Sequence, residues 1–252
     1  MKVRYSLSFV LITLFIFITC GAFAQSIRGG LILGINAAQV DGDNLGGFNK
    51  PGLNTGITAQ MPFPKYNLLL RMDLLFSQKG SAPYLFSDPN DQTATAVTPY
   101  SLTLNYLEVP VVLDYIYKKR YGIGFGMSIG KLMGGSDVFN GYESSITIGP
   151  YATSSGILTG SYQPWDANAI LDGLYAFKGD HWMVNLRWMY SMRFIAKNPP
   201  GNNSFYNNQT PPSFNNGYPL YPSSPSHFYN YGEFNNVIAL RIVYVFGNIQ
   251  KQ

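Results

Sequence analysis

Charge is scarce in this chain of 252 residues: only 12% are Asp, Glu, Lys or Arg, against roughly 25% in ordinary soluble domains. Cysteine occurs once, at Cys20, and histidine twice, at His181 and His227. So small a stock of thiol and imidazole provides neither a disulfide framework nor a Cys/His metal site, and no cofactor is expected. Outside the N-terminus there is no apolar run of the roughly 20 residues that a membrane-spanning helix needs, so helical spans are excluded. Basic residues cluster only at Lys118-Lys119-Arg120, within a turn, and nucleic-acid binding has no support.

Aromatics are what the chain has in quantity, at 15% of residues with 19 tyrosines. Few charges, many aromatics and no apolar block suit a transmembrane β-barrel, which hides its membrane signal in alternation. The N-terminus reads as a secretory signal over residues 1–24. Lys2 and Arg4 form the positive region, Leu7 to Ile18 the apolar stretch, and Ala22-Phe23-Ala24 the small-residue cleavage site before Gln25. The rival reading is a lipoprotein signal ending at Cys20, with Thr19 where such signals place Gly or Ala. Cleavage after Ala24 removes Cys20 and takes the basic count from 17 to 15 against 13 acids, a net charge of +2.

Residues 25–252 then read as one domain of eight strands with two-residue periodicity. The first runs from about Gly29 to Gln39, the second from Gly52 to Met61, and the third from Leu68 to Lys79. The fourth, Tyr100 to Tyr117, sets Leu107, Val109, Val111, Leu113 and Tyr115 against Tyr106, Glu108, Pro110, Val112 and Asp114. The fifth, from Tyr121 to about Lys131, sets Ile123, Phe125, Met127 and Ile129 against Gly122, Gly124, Gly126, Ser128 and Gly130. The sixth covers about Trp165 to Phe177. The seventh continues from Trp182 to Phe194 with Arg187 and Arg193 on its polar face, and the eighth covers Glu233 to Phe246. Short turns alternate with long links, the longest at about 80–99, 132–163 and 196–232.

Three features turn the apolar faces outward, toward lipid. The glycine row of the fifth strand suits a narrow lumen and gains nothing on a solvated exterior. Large aromatics sit at the ends of the apolar faces, as in an interfacial girdle. The polar-face charges cancel, with Arg71, Lys79, Arg187, Arg193 and Arg241 against Asp73, Glu108, Asp114, Asp166 and Asp172. A buried unpaired ion costs several kcal/mol, so a neutral set is what a crowded lumen requires. These ten residues are expected to form a structural network filling an eight-stranded, antiparallel all-β barrel, with short turns in the periplasm and long loops outside. Pro110 lies mid-strand, and a bulge or a locally unpaired position is expected there.

The segments GGLILGINAAQVDGDN, KPGLNTGITAQM, LLFSQKG and LNYLEVPVVLDY together resemble the PorT-like outer-membrane β-barrel family of Bacteroidota. Glu108 and Pro110 match its acidic-x-Pro pattern. The resemblance implies an eight-stranded barrel in the outer membrane of a Gram-negative bacterium, to which the N-terminal signal is expected to direct the chain by Sec export. For the namesake members it also implies a part in protein secretion and gliding motility.

Function is less legible. A catalytic dyad would have to form around His227, with Glu233 or Asp88, and nothing in the spacing brings them together. A pore, or a ligand-binding barrel, is the alternative from a second class, and a filled lumen argues against the pore. The third class is an accessory or scaffold subunit touching lipid and other outer-membrane proteins of a secretion or assembly complex. Its expected contact loop carries Phe205, Tyr206, Phe214, Tyr218, Tyr221, Phe228, Tyr229 and Tyr231 among Asn, Ser and Pro, a mixture typical of recognition surfaces.

Overall fold

The computed structural model describes residues 27–42, 47–82, 100–139, 142–149, 161–177, 181–196 and 232–246. The signal segment, Asp88, His227 and the eight aromatics of the 196–232 loop lie outside them. Eleven strands follow in order: β1 (Arg28–Asp41), β2 (Lys50–Phe63), β3 (Leu68–Ser81), β4 (Tyr100–Tyr117), β5 (Tyr121–Phe139), β6 (Tyr142–Ser145), β7 (Thr147–Ile148), β8 (Ser161–Tyr162), β9 (Trp165–Ala176), β10 (Trp182–Ser191) and β11 (Phe234–Val245).

Eight of them close on themselves. The antiparallel order is β4-β3-β2-β1-β11-β10-β9-β5, and β5 pairs back onto β4. Closure is made by the first and last strands, from Gly30 opposite Val245 to Asp41 opposite Phe234. A closed sheet satisfies the backbone hydrogen bonds that lipid cannot. Alternation places the long apolar side chains outside, where Leu33, Phe125 and Met127 are 65%, 67% and 60% exposed. The facing charges are buried, Arg187 and Arg241 completely.

β1, β2, β3 and β5 run longer than their alternation suggests. β5 continues to Phe139 because one extra residue, Met133, bulges between the pairs Tyr106–Leu132 and Asn105–Gly134. Beyond that bulge β4 and β5 stay paired as far as Tyr100–Phe139, and β6 adds to the outer side of β5. β10, by contrast, stops at Ser191, short of the expected Phe194. At that mouth of the barrel Ala196 bridges to both Tyr162 and Glu233.

Two short turns close the other end among the described residues. Pro64–Tyr66 forms a single 3-10 turn. Lys118 and Lys119 both hold positive φ, 51° and 57°, and Arg120 N donates to Tyr117 O at 3.1 Å. This is a type I′ hairpin turn, whose twist matches that of the flanking strands but which ordinarily uses Asn-Gly. Two lysines in the left-handed region cost about 1–2 kcal/mol each.

Pro110 leaves the ladder without shifting it. β3 and β4 pair at Met72–Val111 and again at Leu75–Glu108 in unchanged register, with no pairs between. On the other side Pro110 stays opposite Ser128. The locally unpaired position is thus at Pro110, and the bulge of this strand pair is at Met133.

Candidate functional site

The lumen is where the chain gathers its chemistry, and it is stratified. Toward the short turns lies an apolar cluster of Ile32, Leu69, Leu174, Ala176, Met183, Val243 and Val245, joined by Leu75 from further along β3, beyond Arg71 and Asp73. At the opposite mouth Val40, Leu102, Leu104, Tyr106, Leu132, Tyr162, Ile195 and Ala196 form a second. A third, with Val112, Ile170, Met189, Val237 and Ala239, sits between them. In β9 the inward residue Ile170 separates Asn168 from Asp172; in β10 Met189 separates Arg187 from Ser191. The central layer therefore divides the polar interior into two clusters.

The cluster nearer the short turns holds three arginines and three aspartates. Arg71 forks onto Asp114, donating from Nε to Oδ2 at 2.6 Å and from Nη2 to Oδ1 at 2.9 Å. Its Nη2 also reaches Asp172 Oδ2 at 2.6 Å. Arg187 Nη2 lies 2.7 Å from Asp172 Oδ2 and 3.3 Å from Asp73 Oδ2. Arg241 Nη1 lies 3.2 Å from that same Asp73 oxygen, and its Nε donates to Asn185 Oδ1 at 2.7 Å. Asn185 in turn donates to Asp172 Oδ1. Asp172, on β9, is thus the hub touched by all three guanidinium groups.

The outer cluster is built on one ammonium. Lys79 Nζ lies 2.5 Å from Glu108 Oε1, 3.0 Å from Asp166 Oδ2 and 5.1 Å from the Tyr106 ring centre. Ser191 Oγ and Asn235 Nδ2 donate to Asp166 at 2.7 and 3.0 Å, and Lys79 also donates to Asn168 Oδ1 at 3.2 Å. Two carboxylates here face a single lysine.

One of the ten expected network members is elsewhere. Arg193 lies beyond the end of β10, is exposed, and packs its guanidinium 5.8 Å from the Phe194 ring. The alternation of β10 breaks after Ser191, so counting by twos past that residue no longer points inward. The other nine are all buried in the lumen. The neutral partners Asn168, Asn185, Ser191 and Asn235 occupy the same alternate positions as the ions, and alternation puts them on the polar faces without marking them as members of the network.

His181 sits at the short-turn end, where its Nδ1 lies 3.0 Å from Val245 O and its ring stacks on Tyr244. Glu233 is engaged through its backbone with Ile195 and Ala196. Among the described residues no group of three or more His, Cys, Asp or Glu is arranged to hold a metal ion.

The family model described as outer membrane protein beta-barrel domain matches residues 23–196, more than half of the chain. The chain belongs to this family.

An outer-membrane β-barrel is accordingly what the alternation, the closed sheet and the lipid-facing apolar wall amount to. The match ends at Ala196, so β11, which closes the sheet, lies beyond it. Neisserial surface protein A (NspA) is similar at 9% identity and TM-score 0.46, over 86% of this chain and 97% of that one. Ail of Yersinia pestis, solved with the heparin analogue sucrose octasulfate, is similar at 8% identity and TM-score 0.41, over 88% and 100%. No curated protein matches the sequence.

Proposed function

We propose that this outer-membrane barrel is a non-enzymatic accessory or scaffold subunit of an outer-membrane complex. The observation that carries the reading is the filled lumen: two ion clusters, each capped by packed apolar side chains, occupy the interior that a pore would need open. An eight-stranded barrel is just wide enough to be filled this way. The surfaces are then left as the working parts. The β4–β5–β6 ribbon, which rises past the pairing of Lys131 with Trp165, offers a rigid wall for a partner outside the membrane. The PorT-like sequence features favour a secretion, motility or assembly complex as that setting.

The test is to solubilise tagged protein in mild detergent and analyse it on a native gel with mass spectrometry. Co-migration with other outer-membrane proteins is expected; a bare monomer alone overturns the proposal. Planar-bilayer recordings are expected to be silent, and reproducible single-channel steps would restore the pore. An enzymatic activity abolished by His227→Ala would reverse the non-enzymatic assignment.

A further inference from the structure

Among the described residues, the exposed charges of the β2–β3 and β4–β5 turns are of one sign. Lys65 projects from the β2–β3 turn, and Lys118, Lys119 and Arg120 follow one another in the β4–β5 turn; all four are exposed. These turns are neighbours, since β3 pairs with β4 and Ile116 N donates to Asn67 O at 2.7 Å. No Asp or Glu lies at this end among the described residues, and none of the four cations forms an ion pair there. The turn keeps its lysines in a backbone conformation that Asn-Gly would adopt without strain. Strain retained at such a position points to use of the side chains themselves.

Beneath the cations lie aromatic rings of the lipid-facing wall. Lys65 Nζ sits 5.5 Å from the Tyr66 ring centre and Lys118 Nζ sits 5.1 Å from that of Tyr117. Both rings are more than half exposed, as is the neighbouring Tyr121. Tyrosines in this position mark the depth of the headgroups, so the ammonium groups stand where lipid phosphates lie. A long cationic side chain there reaches the phosphate plane while its methylenes remain over the ring.

We propose that this rim, Lys65 with Lys118, Lys119 and Arg120, docks the phosphates of anionic phospholipids in the periplasmic leaflet. A lipid is favoured over an acidic protein because the cations sit directly on the membrane-facing tyrosines.

Native mass spectrometry of the mature protein in neutral detergent, with equal amounts of dioleoylphosphatidylglycerol and dioleoylphosphatidylcholine, tests this. Retention of the anionic lipid is expected to exceed that of the zwitterionic one in low salt and to fall as salt rises. Each cation removed should reduce the preference by about fivefold. The triple variant K118Q/K119Q/R120Q should therefore lose about a hundredfold of the preference, keeping only what Lys65 provides, and K118N/K119G, which supplies the favoured turn sequence, should lose about twenty-five-fold while folding at least as well. K131Q, at the opposite end, should leave the preference unchanged. Equal retention by the parent protein, or a preference undiminished in K118N/K119G, overturns the proposal. So does preferential capture of a polyglutamate peptide without lipid discrimination, which would assign the rim to an acidic protein.

Discussion

Asp114 of β4 stands directly across from Gly124 of β5, and its carboxylate fills the space where a Cβ at Gly124 would be. The relation repeats at the next level, where Glu108 faces Gly130 and a Cβ there would approach Glu108 Cγ to 2.9 Å. The glycine row thus makes room for the acids of the neighbouring strand. Gly124→Ala is expected to cost about 1–3 kcal/mol through overpacking. Gly173→Ala, where the nearest atom is Leu186 O at 3.8 Å, is expected to stay within about 0.5 kcal/mol of the parent. Urea unfolding from phosphatidylcholine vesicles, followed by tryptophan fluorescence, measures both.

Arg71 and Asp114 form the most separable pair of the inner cluster, because Asp114 has no other cationic partner within ion-pair distance among the described residues. Arg71→Met alone leaves three aspartates against two arginines and is expected to destabilise by about 3–5 kcal/mol. The double change Arg71→Met with Asp114→Leu restores neutrality and should recover most of that loss. A double-variant loss equal to the sum of the two single losses would show that the ions act independently.

Arg187 is a poorer subject for the same experiment. Its carboxylate partners are two, Asp172 and Asp73, and removing Asp172 also strips Arg71 and Arg241. Arg187→Ala with Asp172→Ala is therefore expected to be no more stable than Arg187→Ala alone, measured by the same urea titration.

The outer cluster, with two carboxylates to one ammonium, should respond asymmetrically. Lys79→Met leaves Glu108 and Asp166 buried without a cation and is expected to cost about 3–5 kcal/mol. Glu108→Gln removes the surplus negative charge at a side chain whose Oε2 has no hydrogen-bond partner among the described residues. It should be neutral or stabilising, and a loss as large as that of Lys79→Met would refute the surplus-charge account.

Pro110 offers a backbone test. Pro110→Ala supplies an N–H where the β3–β4 ladder is interrupted between Met72–Val111 and Leu75–Glu108. Stability is expected to hold or rise by up to about 1 kcal/mol, with a new amide at residue 110 that is protected from exchange.

Much of this was legible in the sequence because a strand in a closed barrel has a side-chain period of two and no exceptions for edges. That period placed Arg71, Asp73, Lys79, Glu108, Asp114, Asp166, Asp172, Arg187 and Arg241 on faces that are all buried. It failed at Arg193, where the strand ends before the alternation does. Partner choice was not legible either, since Arg71 and Asp172 are 101 positions apart and Arg241 and Asp73 are 168 apart. Only the order of strands around the barrel brings them together. The apolar layers were hidden for another reason: Leu75, Leu102, Val237 and Val243 share a face with the ions, so their composition averaged out.

Pairing of β1 with β11 makes the first and last strands neighbours, and this sets the order of assembly. A hairpin such as β3–β4 carries Arg71, Lys79, Asp73, Glu108 and Asp114 but lacks Asp166, Asp172, Arg187 and Arg241. Its charges cannot be neutralised in lipid hairpin by hairpin. The inner face must stay hydrated until the last strand arrives, so closure and expulsion of water are expected to coincide in a single late, slow step, as contacts so distant in sequence require. A chain truncated before Phe234 should therefore associate with the bilayer surface without crossing it.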